Sequence, residues 1–318
     1  MQTNKRFARY AWAVLAYNLL VILWGAFVRA TGSGAGCGSH WPLCNGEVVP
    51  QAPEVETLIE LAHRLTSGLA GVFVVILFIW AFRAFRKGHP VRRAATLSLI
   101  FIITEGLVGA GLVLFEWVAD DASLGRVLSM AVHLVNTMLL LASLTLTVWW
   151  AGGGPDIDLR RRGEARWLVG IALLGMLALS SAGALTALGD TLFRPDTLAE
   201  GFRQDFSAAA HFLERLRIGH PLLAILFGVY LLFVTRHLAS LRPSPAVKHF
   251  ARIVLTLFVV QFLAGLLNVF LLAPVWMQLA HLLLADFLWI SIVLLGASGL
   301  AVTAAEPVPE ALHPQRSG

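Results

Sequence analysis

Eight stretches of this chain are each long and apolar enough to cross a lipid bilayer, near residues 11–30, 61–82, 94–115, 127–150, 166–187, 218–240, 250–272 and 277–300. A helix rises about 1.5 Å per residue, so roughly 20 apolar residues span the hydrocarbon core. Lipid offers no hydrogen-bond partner, so every backbone N–H and C=O must be satisfied inside the segment. The fold class that meets both demands is an all-α integral membrane protein with eight transmembrane helices. Composition points the same way: 58% of residues are hydrophobic, 14% are charged and the mean hydropathy is +0.75, too little polar surface to coat a soluble globule of this size. The first stretch is longer than a signal-peptide core and lacks a convincing small-residue cleavage site, so it reads as a retained span.

Cations near span ends mark the cytoplasmic side. Lys5, Arg6, Arg9, Arg83, Arg86, Lys87, Arg92, Arg93, Arg160, Arg161, Arg162, Arg166, Arg236, Arg242, Lys248, Arg252 and Arg316 all fall on the side shared with the N-terminus, 17 of the 24 Lys and Arg. Both termini are therefore expected in the cytoplasm. The opposite loops carry most of the acids. The basic pI of about 9.8 thus reflects topology, and no nucleic-acid-binding face is needed to explain it.

The chain repeats itself. His63 aligns with His220 at an offset of 157, Glu105-Gly-Leu-Val-Gly with Gln261-Phe-Leu-Ala-Gly at 156, and His133 with His281 at 148. We expect two pseudo-symmetric four-helix bundles, 1–152 and 166–302, joined by a polar, Arg-rich cytoplasmic linker at 153–165 and followed by a cytoplasmic tail at 303–318. Four spans separate equivalent points, so the halves run in the same sense and are related by an axis along the membrane normal.

His63, His133, His220 and His281 each lie about one turn inside the start of an apolar stretch, on the outer side. Each half thus supplies two imidazoles at one depth. Bundles build cofactor sites from side chains on facing helices, and two imidazoles on opposite faces of a porphyrin complete six-coordinate iron. A single intramembrane histidine reads as an interhelical hydrogen bond or a proton relay; four at repeated positions read as axial ligands of two haems. His40, His89, His211, His237, His249 and His313 fall in loops or at span ends and read as solvated or snorkelling residues.

The halves differ in chemistry. Only the first has cysteines, Cys37 and Cys44, in a Gly- and Pro-bearing outer loop. In an oxidising compartment they are expected to form a disulfide, acting as a loop staple or as a redox-labile pair. Only the first half pairs an acid with its histidine: Glu60 and His63 are three apart on one helix face, whereas Arg217 stands at the equivalent place before His220. Glu60 is the candidate general base on water or a substrate C–H. Arg29, Arg64, Arg215 and Arg217 at the outer span ends are candidate partners for haem propionates, or plain headgroup-level cations. Glu105 and Asp286 are the remaining acids within spans, and each is expected to hydrogen-bond a neighbouring helix. Most tryptophans map to span ends, as interface anchors.

Val28-Arg29-Ala30-Thr31-Gly32-Ser33-Gly34 leading to Cys37, Trp41-Pro42, Cys44 and Gly46, with Glu60-x-x-His63-Arg64, resembles the haem A synthases of bacterial and mitochondrial membranes across essentially the whole chain. His133, His220 and His281 fall where that family has its other haem ligands. Two positions depart from the pattern: His40 replaces the acid usual before Trp-Pro, and Pro221 follows His220 where Arg is frequent. The resemblance implies oxidation of the C8 methyl of haem O to a formyl group, giving haem A for cytochrome oxidase. It implies His63 and His133 around the substrate haem O, Glu60 as acid/base, and His220 and His281 around a permanent haem b. It further implies a bacterial inner-membrane location, haem O synthase and cytochrome oxidase assembly as partners, and a quinone or other electron acceptor. Bis-histidine ligation leaves iron no open site for dioxygen, which favours water as the oxygen source. The alternative is a membrane dihaem b-type cytochrome that only relays electrons.

Overall fold

A computed structural model of the chain describes residues 4–158 and 163–302. Arg160, Arg161, Arg162, His313, Arg316 and the tail at 303–318 lie outside the described residues.

The described residues form nine α-helices and no β-strand: α1 Lys5–Ala30, α2 Val55–Ala84, α3 Pro90–Leu114, α4 Leu124–Ala151, α5 Gly163–Leu192, α6 Leu198–Asp205, α7 Phe212–Leu241, α8 Pro245–Phe270 and α9 Val275–Gly299. All but the eight-residue α6 are long and apolar enough to cross a membrane, so the chain is a multi-pass membrane protein. The helices begin two to six residues before the apolar stretches, several of them because polar caps extend their starts. Ser123 accepts from the Arg126 N–H at α4, and Ser244 from Val247 at α8, where Pro245 sits at the first helical position. At α7, His211 accepts from the N–H of Leu213 while its own N–H is taken by Glu214.

The histidines therefore stand farther from their helix starts than from the starts of the apolar stretches. His63, His133, His220 and His281 lie 8, 9, 8 and 6 residues beyond Val55, Leu124, Phe212 and Val275, about two turns rather than one.

Helix α1 packs on α2 and α4, α2 on α3, and α3 on α4, closing a ring. Helices α5, α7, α8 and α9 close a second ring in the same order of contacts. Contacts of α4 and α1 with α5 and α9 join the two. Their shared core includes Leu15, Leu77, Leu141, Leu144, Leu231 and Trp289. Trp289 is an exception among the tryptophans: it is buried, and its Nε1–H donates to the Met138 carbonyl at 2.7 Å, tying α9 to α4. At the other end of the molecule from the disulfide loop, Asp158 donates its N–H to the Leu300 carbonyl at 3.1 Å and Val302 to Asp156 at 2.8 Å, so the described start of the linker is stitched to the end of α9.

Candidate functional site

Each of the four histidines lies against a glycine on the preceding membrane-spanning helix. A Cβ added at Gly25 would stand 2.9 Å from His63 Cε1, at Gly183 2.9 Å from His220 Cε1, and at Gly265 3.0 Å from His281 Cε1; at Gly109 the gap to His133 is a looser 4.0 Å. Three of the imidazoles therefore occupy space that only a bare helix backbone leaves open. The sequence carries this signal: Gly25 and Gly183 stand 158 apart, one residue from the His63–His220 offset, and Gly109 and Gly265 stand 156 apart, the offset of Glu105 and Gln261.

The two histidines of each half lie near one another. The His220 and His281 ring centroids are 6.5 Å apart and nearly perpendicular, at 83°. His63 and His133 lie within electrostatic range of one another. Nδ1 of all four is buried without a hydrogen bond of good geometry; the Leu179 backbone interacts with His220 and Glu105 with His133. Among the described residues no three His, Cys, Asp or Glu converge as a cage for a bare metal ion. A porphyrin brings four nitrogens of its own and asks the protein for two axial ligands. With metal–imidazole bonds of about 2 Å on either side of one iron, ring centroids fall about 6 Å apart, so the second-half pair fits such a group.

The first half carries the disulfide, Cys37–Cys44, in a loop that sits directly on α2. Gly36 packs so closely on the backbone of Glu56 and Thr57 that a Cβ there would lie 2.5 Å from it. Thr57 Oγ1 donates to the Gly36 carbonyl at 2.7 Å. Glu60, 3% exposed, completes the attachment: Oε2 accepts from the Cys37 N–H at 2.8 Å, and Oε1 accepts from Arg64 Nη2 at 2.5 Å and Nε at 3.0 Å. Arg64 Nη1 reaches back to the His40 and Leu43 carbonyls at 2.7 and 2.6 Å. The carboxylate, the guanidinium and the cysteine loop form one unit at the start of α2.

The other arginines are held by protein groups as well. Arg29 Nη1 donates to the Ala187 carbonyl at 2.8 Å and Thr191 Oγ1 at 2.7 Å, and its Nη2 to Gln278 Oε1 at 2.8 Å, so it links α1 to α5 and α9. Arg217, 8% exposed, is surrounded by Asp205 at 3.0 Å, Glu214 at 3.5 Å and Asp190 at 3.6 Å, which fastens α6 to α5 and α7. Burial raises the Asp205 carboxyl above its ordinary range against the pull of Arg217. Arg215 Nη2 donates to the Ala208 carbonyl at 2.5 Å. Pro221 lies inside α7 beside His220, where its missing N–H interrupts the backbone ladder.

Within the spans, Glu105 accepts from Asn136 and Thr137 on α4, the neighbouring-helix contact expected for it. Asp286 is 1% exposed with Oδ2 unpartnered. His89 and His211, expected to be solvated, instead cap α3 and α7, and His89 is buried.

Eight long apolar helices, with a pair of imidazoles buried in each ring, define a multi-pass membrane protein. The chain belongs to the COX15-CtaA family of cytochrome oxidase assembly proteins, whose sequence pattern matches residues 8–293. It is 31% identical over 275 residues to a "Heme A synthase" of Geobacillus kaustophilus, covering 86% of this chain and 84% of that protein. It is 30% identical over 297 residues to a "Heme A synthase" of Bacillus cereus, covering 90% and 91%. It is also 54% identical over 295 residues to a Thermus thermophilus protein named "Protoheme IX farnesyltransferase", covering 93% of this chain and 48% of that protein. The chain thus spans about half the length of that relative.

Proposed function

We propose that this protein is a haem A synthase that oxidises the C8 methyl of haem O to a formyl group, with water supplying the oxygen. The observation that carries the reading is the asymmetry of the two histidine pairs: both halves offer two imidazoles, and only the first adds a buried carboxylate fixed to a disulfide loop. His63 and His133 hold the substrate haem O. His220 and His281 hold a resident haem b, which when bound supplies a one-electron acceptor beside the substrate.

Conversion of a methyl to a formyl group with one water releases four protons and four electrons. Glu60 takes the protons in this reading. Its Oε1 and Oε2 are already oriented by Arg64 and Cys37, so no reorganisation is needed when it accepts one from water or from the methyl carbon. The apolar walls of α1 to α4 exclude bulk water from the rest of the site. Cys37 and Cys44 hold the loop that carries the Cys37 N–H donor. Propionate pairing by Arg29, Arg64 or Arg217 would require those donors to exchange their present protein partners.

The electrons pass on to a quinone or another acceptor. The protein sits in the bacterial inner membrane with both termini cytoplasmic and the disulfide loop outside, as the distribution of cations indicates. Its two helix rings act as the two haem-binding bundles. The farnesyltransferase name belongs to a relative about twice the matched length, whereas the haem A synthase relatives match over most of theirs. We therefore assign the oxidation to the shared part, and a farnesyltransferase that makes haem O to the step before it. The product goes to cytochrome oxidase assembly.

The test is to purify the protein from cells supplied with haem O, in water enriched in oxygen-18, and to identify extracted haems by chromatography and mass. Labelled haem A or a hydroxylated haem O beside haem b is expected. Two unmodified b-type haems under turnover conditions would make the protein an electron relay instead.

A further inference from the structure

Among the described residues, His133 is the one of the four histidines whose ring lies at ion-pair distance from a carboxylate. His133 Nδ1 lies 3.3 Å from Glu105 Oε1, an ion-pair distance slightly off the line of a hydrogen bond. Glu105 is on α3 and is held from α4, where Asn136 Nδ2 donates to Oε2 and Thr137 Oγ1 to Oε1. Asn136 is itself fixed: Nδ2 also donates to the Phe101 carbonyl at 2.8 Å, and Oδ1 accepts from Thr104 Oγ1 at 2.6 Å. Five polar residues on two facing helices are thereby locked together in an apolar span, where each is costly unless satisfied.

Among the described residues the second half shows no such network. The offsets that align the halves put Val260, Gln261, Leu284 and Ala285 at the places of Thr104, Glu105, Asn136 and Thr137. Gln261 alone keeps a polar side chain, and its Nε2 lies 3.2 Å from His281 Nε2, the ring nitrogen opposite to the one Glu105 approaches. Positioning an imidazole in this fold does not require an acid, as His281 shows. The acid network therefore serves a need confined to the first half.

We propose that Glu105 is the positioning residue of the first-half site: its carboxylate, locked by Asn136 and Thr137, takes the Nδ1–H of His133, leaves Nε2 as the ligand atom, and makes this imidazole a stronger donor than the other three. This rests on the reading that His63 and His133 hold a haem. A carboxylate on the far ring nitrogen fixes the tautomer and raises ligand basicity. A more basic axial ligand favours ferric iron, so the first-half haem has the lower reduction potential of the two. Electron transfer from the substrate side to the resident haem then runs downhill.

The experiment is a potentiometric titration of haem absorbance, with haem-to-protein ratios, on holoprotein from cells making haem O. It compares wild type, Glu105→Gln, Glu105→Asp and His220→Ala, the last to identify the first-half wave by removing the other. Two waves are expected in wild type, the first-half one lower. Glu105→Gln should raise the lower wave toward the upper with both haems retained, and Glu105→Asp, whose shorter side chain withdraws the carboxylate from His133 Nδ1, should raise it part of the way. Curves for Glu105→Gln that superimpose on wild type would overturn the proposal. If Glu105→Gln does not keep both haems, Glu105→Asp decides, and an unmoved lower wave overturns it. A wild-type protein that never holds a first-half haem would overturn the proposed function as well, and the haem ratio shows which has failed.

Discussion

The Glu60 carboxylate accepts the backbone N–H of Cys37 at 2.8 Å, which makes the first-half acid and the disulfide loop a single structural unit. Two roles are therefore combined in one side chain, and two substitutions separate them. Glu60→Gln keeps an acceptor for Cys37 and removes the base, so turnover should fall by about 100-fold with haem retained and thermal stability near wild type. Glu60→Ala should lose activity and also about 1–3 kcal/mol of stability, because the Cys37 donor is left unpaired. Turnover and thermal denaturation of the two variants check this; full activity in Glu60→Gln would remove the acid–base role.

The glycines opposite the histidines should control haem content. Gly183→Ala places a Cβ 2.9 Å from His220 Cε1, and the ring must turn away from its present position facing His281. The haem-to-protein ratio should fall by about one. Gly170→Ala, on the same helix with nothing within 4 Å of the new Cβ, should leave the ratio unchanged and lengthen the unfolding time slightly through its better helix propensity. Equal ratios in the two variants would show that the glycine gap is not needed.

Arg29 should behave as a clamp between the two helix rings. Arg29→Met preserves most of the side-chain volume and removes three donors to Ala187, Thr191 and Gln278. Charge-assisted bonds of this kind are worth about 1.5–3 kcal/mol each, and their effects overlap, so a loss of about 3 kcal/mol is expected. Denaturation of the detergent-solubilised protein measures it. An unchanged midpoint together with haem loss would instead favour a propionate contact.

His89 caps α3 from the loop after α2, with Nδ1 accepting from the Val91 N–H at 3.3 Å. Burial lowers its pKa, Asp156 opposes that shift and Arg86 adds to it. The neutral ring is thus favoured in the folded protein. The stability it contributes is complete above the unfolded-state value near 6.5 and is lost as pH falls below it toward the depressed folded value. Replacing it by His89→Asn, which keeps a capping oxygen, should flatten the decline of stability on the acid side of pH 6.5. A denaturation series across that range checks the slope, and an unaltered slope would assign the acid sensitivity elsewhere.

Much of this protein is written in the order of its residues, because lipid leaves the backbone no alternative to helix. The eight spans, the internal repeat and the four histidines at matched positions all follow from apolar length and offset, which are one-dimensional properties. The disulfide follows from there being two cysteines in one outer loop. Helix starts were less legible: Ser123, His211 with Glu214, and Ser244 with Pro245 begin helices ahead of the apolar stretches, so the histidines stand about two turns from their helix starts. What tertiary structure alone decided is which side chain meets which. Arg29 stands beside the cysteine loop in sequence, yet its donors reach α5 and α9, because a long side chain at a helix end serves whichever helix packs next to it. Glu105 is an isolated acid in the sequence and becomes the partner of His133, Asn136 and Thr137 only because α3 lies against α4 in one particular rotation. Hydropathy fixes that a helix crosses; its rotation and neighbours are set by close packing of side chains from distant parts of the chain, and that packing turned two similar histidine pairs into two different sites.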